Sequence, residues 1–103
     1  MEKDLLKIIE HFGVNNQQRK LQEEVFELQE AIIKKETEYY FCETTVKKDR
    51  ENLKHIAEEI ADICVILRQF MEYYDITQDE ITDKMVEKIN RTLERIESGY
   101  YEK

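Results

Sequence analysis

Four carboxylates occupy matched places in two stretches of the chain. Residues 21–28 read LQEEVFEL and residues 56–63 read IAEEIADI, and the two align without a gap. Leu21 falls on Ile56, Glu23 on Glu58, Glu24 on Glu59, Val25 on Ile60, Glu27 on Asp62 and Leu28 on Ile63, with Ile32 and Leu67 continuing the repeat. At about 100° per residue, Leu21, Val25, Leu28 and Ile32 form one helical stripe, and Ile56, Ile60, Ile63, Leu67, Phe70 and Tyr74 form another. Glu24 and Glu27 stand roughly 60° and 120° to one side of the first stripe, and Glu59 and Asp62 hold the same places beside the second. Helices packed through these stripes would bring an acidic flank each to one seam, while Glu23 and Glu58 point outward.

Four converging carboxylates repel by several kcal/mol when partly buried, so the seam requires a cation. Oxygen-only ligands from Glu and Asp suit a hard divalent ion, Mg²⁺ first and Mn²⁺ second. A single ExxE or ExxD is usually a solvated helix face. The weight here lies in two of them at equivalent positions of a repeat, both bordering the apolar stripe.

A cationic complement lies further along the chain. Lys84, Lys88, Arg91 and Arg95 follow i, i+4, i+7, i+11 and share one helix face within an arc of about 60°. Ile81, Met85, Ile89, Leu93 and Ile96 form the apolar stripe beside them. Taken alone, this is as readily a solvated basic face. Next to a metal-ready acid cluster it suggests phosphates, with the four cations as candidate phosphate contacts. Gln17 and Lys20 extend from the Glu24 side of their helix and are further candidates for substrate contact, set against the plain alternative of surface residues. His55 lies one turn before Glu59, where an ion-pairing surface histidine is the simpler reading. Neither histidine follows a glutamate in the ExxH pattern of di-iron bundles, which argues against iron.

These residues must be positioned by helices. The chain has 103 residues, no proline and only Gly13 and Gly99, which leaves too few turn residues for a β-rich fold. The expected fold is all-α: a single domain over 1–103, a four-helix antiparallel bundle with an internal two-helix repeat. A first helix covers 2–12 and stops at Gly13. A second, capped by Asn15 or Asn16, runs from about 17 into the 30s. Residues 34–52 lose the apolar period and read as a frayed helix end and a flexible loop at about 36–50. A third helix starts near Asp49–Asn52 and reaches about Tyr74. Thr77 and Glu80 form a capping box that opens a fourth, ending near Gly99.

The net charge of −8 argues against a general basic surface for nucleic-acid polymers. No signal peptide is read, and no apolar run approaches the roughly 20 residues of a membrane span. Cys42 and Cys64 lack metal or redox spacing, so they read as reduced thiols in a cytoplasmic protein. Phe26 and Ile33 fall away from the main stripe and ask for another helix, in this chain or in a second copy, to cover them. Tyr39, Tyr40, Phe41, Tyr100 and Tyr101 are aromatic groups for packing first and base stacking second.

EEVFE at 23–27 and EEIAD at 58–62, with the Lys/Arg-rich final helix, resemble the MazG-like all-α nucleoside triphosphate pyrophosphohydrolases, whose pattern is ExxE, a spacer, then ExxD. The wider frame FGVNNQQRKLQEEVFELQEAI, IAEEIADICVIL and KINRTLERI is similar to small phage-type or bacterial members, and the resemblance spans about 12–96. The spacer at 28–58 is longer than the family's. The resemblance implies cleavage of a nucleoside triphosphate to the monophosphate and pyrophosphate. Glu24, Glu27, Glu59 and Asp62 would hold Mg²⁺, and Lys84, Lys88, Arg91 and Arg95 would hold the phosphate tail, Lys88 and Arg91 foremost. It also implies a homo-oligomer, a dimer or tetramer, with active sites shared between chains. A phosphoribosyl-ATP pyrophosphohydrolase is a related reading with the same chemistry. The alternative from another class is a non-catalytic acidic helical bundle that binds a partner protein.

Overall fold

The computed structural model describes residues 1–41 and 46–100, and the side chains of 38–41 and 46–47 are also outside the description. Cys42, Tyr101 and the side chains of Tyr39, Tyr40 and Phe41 therefore lie outside the described residues. Four helices follow in order: α1 (Glu2–Phe12), α2 (Val14–Phe41), α3 (Val46–Tyr73) and α4 (Gln78–Glu97). Every described element is helical, and no described helix is long and apolar enough to cross a membrane.

Gly13 lies at φ 89°, ψ 152°, a region nearly reserved for glycine, and its N–H donates to the Ile9 carbonyl of α1. The Gly13 carbonyl in turn accepts from Gln17 N–H at 3.1 Å, so α2 begins at Val14 without an intervening loop. Asn16 is thereby inside the helix rather than its cap. Its side chain donates to Phe12 O at 2.7 Å and satisfies an open carbonyl at the end of α1 instead.

The largest difference from the sequence expectation is at 34–52. Helix continues to Phe41 and resumes at Val46, so most of the expected loop is the far end of a long antiparallel hairpin of two 28-residue helices. Loss of apolar period did not end the helices, because polar pairs take over: Lys35 of α2 meets Asp49 of α3 at 3.0 Å. Asn52 is buried in the same stretch.

The α2–α3 seam is not the one that the apolar stripes predict. The buried positions are Gln17, Glu24 and Ala31 on α2 and Asn52, Glu59, Ile66 and Gln69 on α3. Seven-residue steps run through 17, 24, 31 and through 52, 59, 66, the spacing of a helix–helix seam. Val25, Ile32, Ile60 and Leu67, expected to face inward, are exposed. The carboxylates thus sit in the seam itself, and the apolar stripes flank it. The helix α1 lies chiefly against α3 and supplies Leu5 and Ile9, the latter fully buried.

The connection from α3 to α4 turns at Asp75 (φ 57°), where Ile76 N–H reaches back to Met71 O. Thr77 then caps α4 in the expected capping box with Glu80, both halves formed. No described residue of α4 is buried, however. Met85, Ile89, Leu93 and Ile96 are each more than half exposed. The radius of gyration is 17.8 Å, against about 13 Å for a compact chain of this length. The described chain is all-helical with four helices, of which α1, α2 and α3 pack together and α4 makes few contacts within one copy. The α4 stripe has too few partners in its own chain to be covered.

Candidate metal centre

Glu24 on α2 and Glu59 on α3 meet across the seam, joined by Glu27 one turn further along α2. One carboxylate oxygen from each of the three lies within 4.8 Å of the others. Glu24 and Glu59 have 4% and 8% of their surface exposed, and one oxygen of each is buried with no hydrogen-bond partner among the described residues. Buried carboxylate oxygens left without partners are costly, and an arrangement that keeps two of them side by side calls for a shared proton or a cation.

The electrostatics divide the pair. Lys20, one turn before Glu24, donates to its Oε1 at 2.9 Å. That bond holds the Glu24 carboxyl below the usual range, against the opposing pull of burial. Glu59 is raised, chiefly by burial, then by the adjoining Glu24 carboxyl, and by the charges of Glu27, Glu24 and Asp62. His55 Nε2 is 3.9 Å from Glu59 Oε1, at the edge of ion-pairing distance. Without a cation the centre is an acid pair, one member ionised against a lysine and the other inclined to keep its proton.

A divalent cation fits these residues. The donors are all carboxylate oxygens, three can converge, and two are orphaned at the convergence point. Asp62, the fourth expected ligand, is exposed and lies outside the triad. It lines a groove of about 400 Å³ beside it, together with Glu24, Lys20 and Gln17. A second groove of about 360 Å³ opens on the other side, lined by Glu27, Glu59, Lys34 and His55 among others.

The remaining candidates fall in different places. Gln17 is buried, and its Nε2 donates to Gln69 Oε1 at 2.7 Å across the seam. Gln69 carries no distinct sequence signal: it lies off the apolar stripe of its helix, which Phe70 continues. Lys84, Lys88, Arg91 and Arg95 share one face of α4 but make no ion pair with the triad. Lys84 approaches Glu87 at 3.5 Å, and the Arg95 guanidinium sits 4.7 Å from the centre of the Tyr100 ring. Comparison with protein-family models, with curated proteins and with solved structures finds no match.

Proposed function

We propose that this chain is a Mg²⁺-dependent nucleoside triphosphate pyrophosphohydrolase, which cleaves a ribo- or deoxyribonucleoside triphosphate to the monophosphate and pyrophosphate. The observation that carries the reading is the convergence of Glu24, Glu27 and Glu59 with two buried, unpartnered carboxylate oxygens at the meeting point. Mn²⁺ is the second ion such an oxygen set would accept. The likeness of the ExxE and ExxD stretches to MazG-like enzymes supports the choice of reaction and is the only basis for naming it.

In this reading Glu24, Glu27 and Glu59 hold the cation, with Asp62 reaching in from the groove. When bound, the ion would neutralise phosphate oxygens and make a water a better nucleophile. The residues of the chain do the rest. Lys20, tied to Glu24, stands at the edge of the centre where a phosphate oxygen would lie. The guanidinium and ammonium groups of α4 would bind the leaving pyrophosphate, where negative charge accumulates.

The cations of α4 do not reach the triad within one chain, so the reading includes a homo-oligomer in which a second copy provides them. Two features support this. The apolar stripe of α4 and the exposed Val25, Phe26, Ile32, Ile33, Ile60 and Leu67 together make more bare apolar surface than a lone small domain usually keeps. The basic face of α4 and the acidic seam of α2–α3 are also opposite in charge.

The test is pyrophosphate release from a panel of ribo- and deoxyribonucleoside triphosphates with Mg²⁺, run on the wild type and Glu59→Gln. The variant keeps the side-chain shape and removes a ligand charge. Turnover by the wild type that falls by about 10-fold or more in the variant supports the reading, since even outer-shell changes at metal sites cost 10–100-fold. Absence of turnover, with a melting temperature indifferent to Mg²⁺, overturns it in favour of an acidic bundle that binds a protein partner.

A further inference from the structure

The triad lies between two grooves of different chemistry, and this asymmetry gives a bound nucleotide a direction. On one side the lining is mostly titratable: Glu27, Glu30, Lys34, His55 and Glu59. On the other, Ile8, Val65 and Ile66 make apolar walls around the two glutamines, with Glu24 and Asp62 at the end that meets the triad. That second groove measures about 400 Å³, within the roughly 300–1,000 Å³ of small-molecule sites, which are mostly apolar with a few placed polar groups.

The two glutamines are unusual residues to find there. Gln17 and Gln69 are among the most buried polar side chains of the fold, Gln69 being only 2% exposed. Their single mutual hydrogen bond uses one donor and one acceptor. An amide side chain carries both an acceptor oxygen and a donor NH₂. The pair therefore leaves one acceptor, Gln17 Oε1, and one donor, Gln69 Nε2, with no partner among the described residues. If both amides turn over, one donor and one acceptor still remain. Neither atom is among the buried ones left without a partner, so both remain open to the groove and to a ligand in it.

We infer that the groove between α1, α2 and α3 lined by Ile8, Gln17, Val65, Ile66 and Gln69 is the nucleobase site, and that the Gln17–Gln69 pair reads the Watson–Crick edge of the base. This rests on the pyrophosphohydrolase reading and adds to it where the base lies. The Watson–Crick edge of every common base presents a donor next to an acceptor, and the free acceptor and donor of the glutamine pair complement that set. The apolar side chains cover the faces of the ring. With the base here, the phosphates pass Lys20 and extend over the triad, which lies at the end of the groove.

The test uses triphosphates of adenosine, guanosine, cytidine and uridine beside their forms methylated on the Watson–Crick ring nitrogen, with Mg²⁺. Three proteins are compared: wild type, Gln69→Leu and Val65→Trp. Val65 lies on the exposed rim, so the tryptophan fills the groove without entering the core and covers the case in which Gln69→Leu does not fold. For whichever nucleotide the wild type prefers, methylation lowers kcat/KM by 10-fold or more. Gln69→Leu loses a similar factor on the unmethylated nucleotide and becomes indifferent to methylation. Val65→Trp raises KM by 10-fold or more for both forms, while the Mg²⁺-induced rise in melting temperature stays at the wild-type value. Wild-type turnover that ignores methylation, or a Val65→Trp enzyme with unchanged KM, overturns the base site and leaves the metal centre standing. A wild type that hydrolyses no nucleotide overturns both.

Discussion

Glu24 and Glu59 face each other across the α2–α3 seam, both buried, and their carboxyls are displaced in opposite directions. Lys20 holds Glu24 low, while Glu59, which has burial and the neighbouring acids against it, is pushed up. The pair has a defined effect on stability. Glu24 contributes stability that is present above the ordinary glutamate value of 4.5 and is lost as pH falls through its lowered native value. Glu59 works the other way: its native form holds a proton more tightly than the unfolded chain does. Its contribution is therefore full below 4.5 and is lost as pH rises through the raised native value. Melting temperature against pH, wild type minus Glu59→Gln, should fall across that upper window in the absence of divalent ions. Excess Mg²⁺ should flatten the fall, because the ion takes the place of the proton. A difference curve that is level without Mg²⁺ would show that Glu59 titrates normally.

Lys20 is the only cation bonded to the triad among the described residues, and it is bonded to Glu24 at 2.9 Å. Removing it as Lys20→Met leaves a buried carboxylate without a countercharge. The cost without metal should be about 1 kcal/mol, above the few tenths of an exposed i, i+4 pair because the glutamate end is buried. The stabilisation by Mg²⁺ should increase in the variant, since the ion becomes the sole positive partner. Thermal melts with and without Mg²⁺ measure both quantities. A smaller Mg²⁺ effect in Lys20→Met would mean that the lysine assists the ion instead of competing with it.

Gly13 tests the joint that brings α1 onto the body. Its φ of 89° and ψ of 152° suit no other residue, while a Cβ placed there would meet nothing within 4 Å. The cost of Gly13→Ala is therefore all in the backbone, about 1–3 kcal/mol, or several degrees in Tm for a domain of this size. Unchanged Tm would mean that α1, with Leu5 and Ile9, relaxes away from α3 at little cost.

The parts of the structure that the sequence made legible are those decided locally. Gly13 ends α1, Thr77 and Glu80 open α4, and the acidic stretches at 23–27 and 58–62 hold Glu24 and Glu59, which meet in the structure. What was not legible depends on choices between helix faces. Val25 and Ile60 have the composition of a seam, yet Glu24 and Glu59 occupy it, because the register puts 17, 24, 31 against 52, 59, 66. A stripe of apolar residues says that something covers it, not that the adjacent helix does. Asp62 stands at the same three-residue step from Glu59 as Glu27 does from Glu24, yet it lines the groove while Glu27 joins the triad, a difference that helical spacing alone does not predict. Residues 34–41 and 46–52 lack apolar period but are helical, since length and polar pairs such as Lys35–Asp49 sustain a hairpin that periodicity alone ends too early.

The position of α4 yields the last prediction. Its basic face carries Lys88 and Arg91, both exposed and outside the triad of their own chain, and its apolar stripe is bare. If α4 serves the triad of a second copy, Ile89→Asp or Leu93→Asp should reduce the particle mass in solution and abolish turnover together. Arg91→Ala should instead keep the assembly and raise KM by about 10-fold, the effect of one lost charge-assisted contact of roughly 1.4 kcal/mol. Glu59→Gln and Arg91→Ala then damage opposite halves of one shared site. In a two-fold assembly, refolding the two variants together places both lesions in one site of each mixed dimer and leaves the other site whole. Random mixing should then restore roughly a quarter of wild-type turnover at low substrate, starting from two weakly active parents. Turnover no higher than the average of the parents would instead assign the Arg91 contact to the triad of its own chain, with α4 folding back onto the body when nucleotide binds.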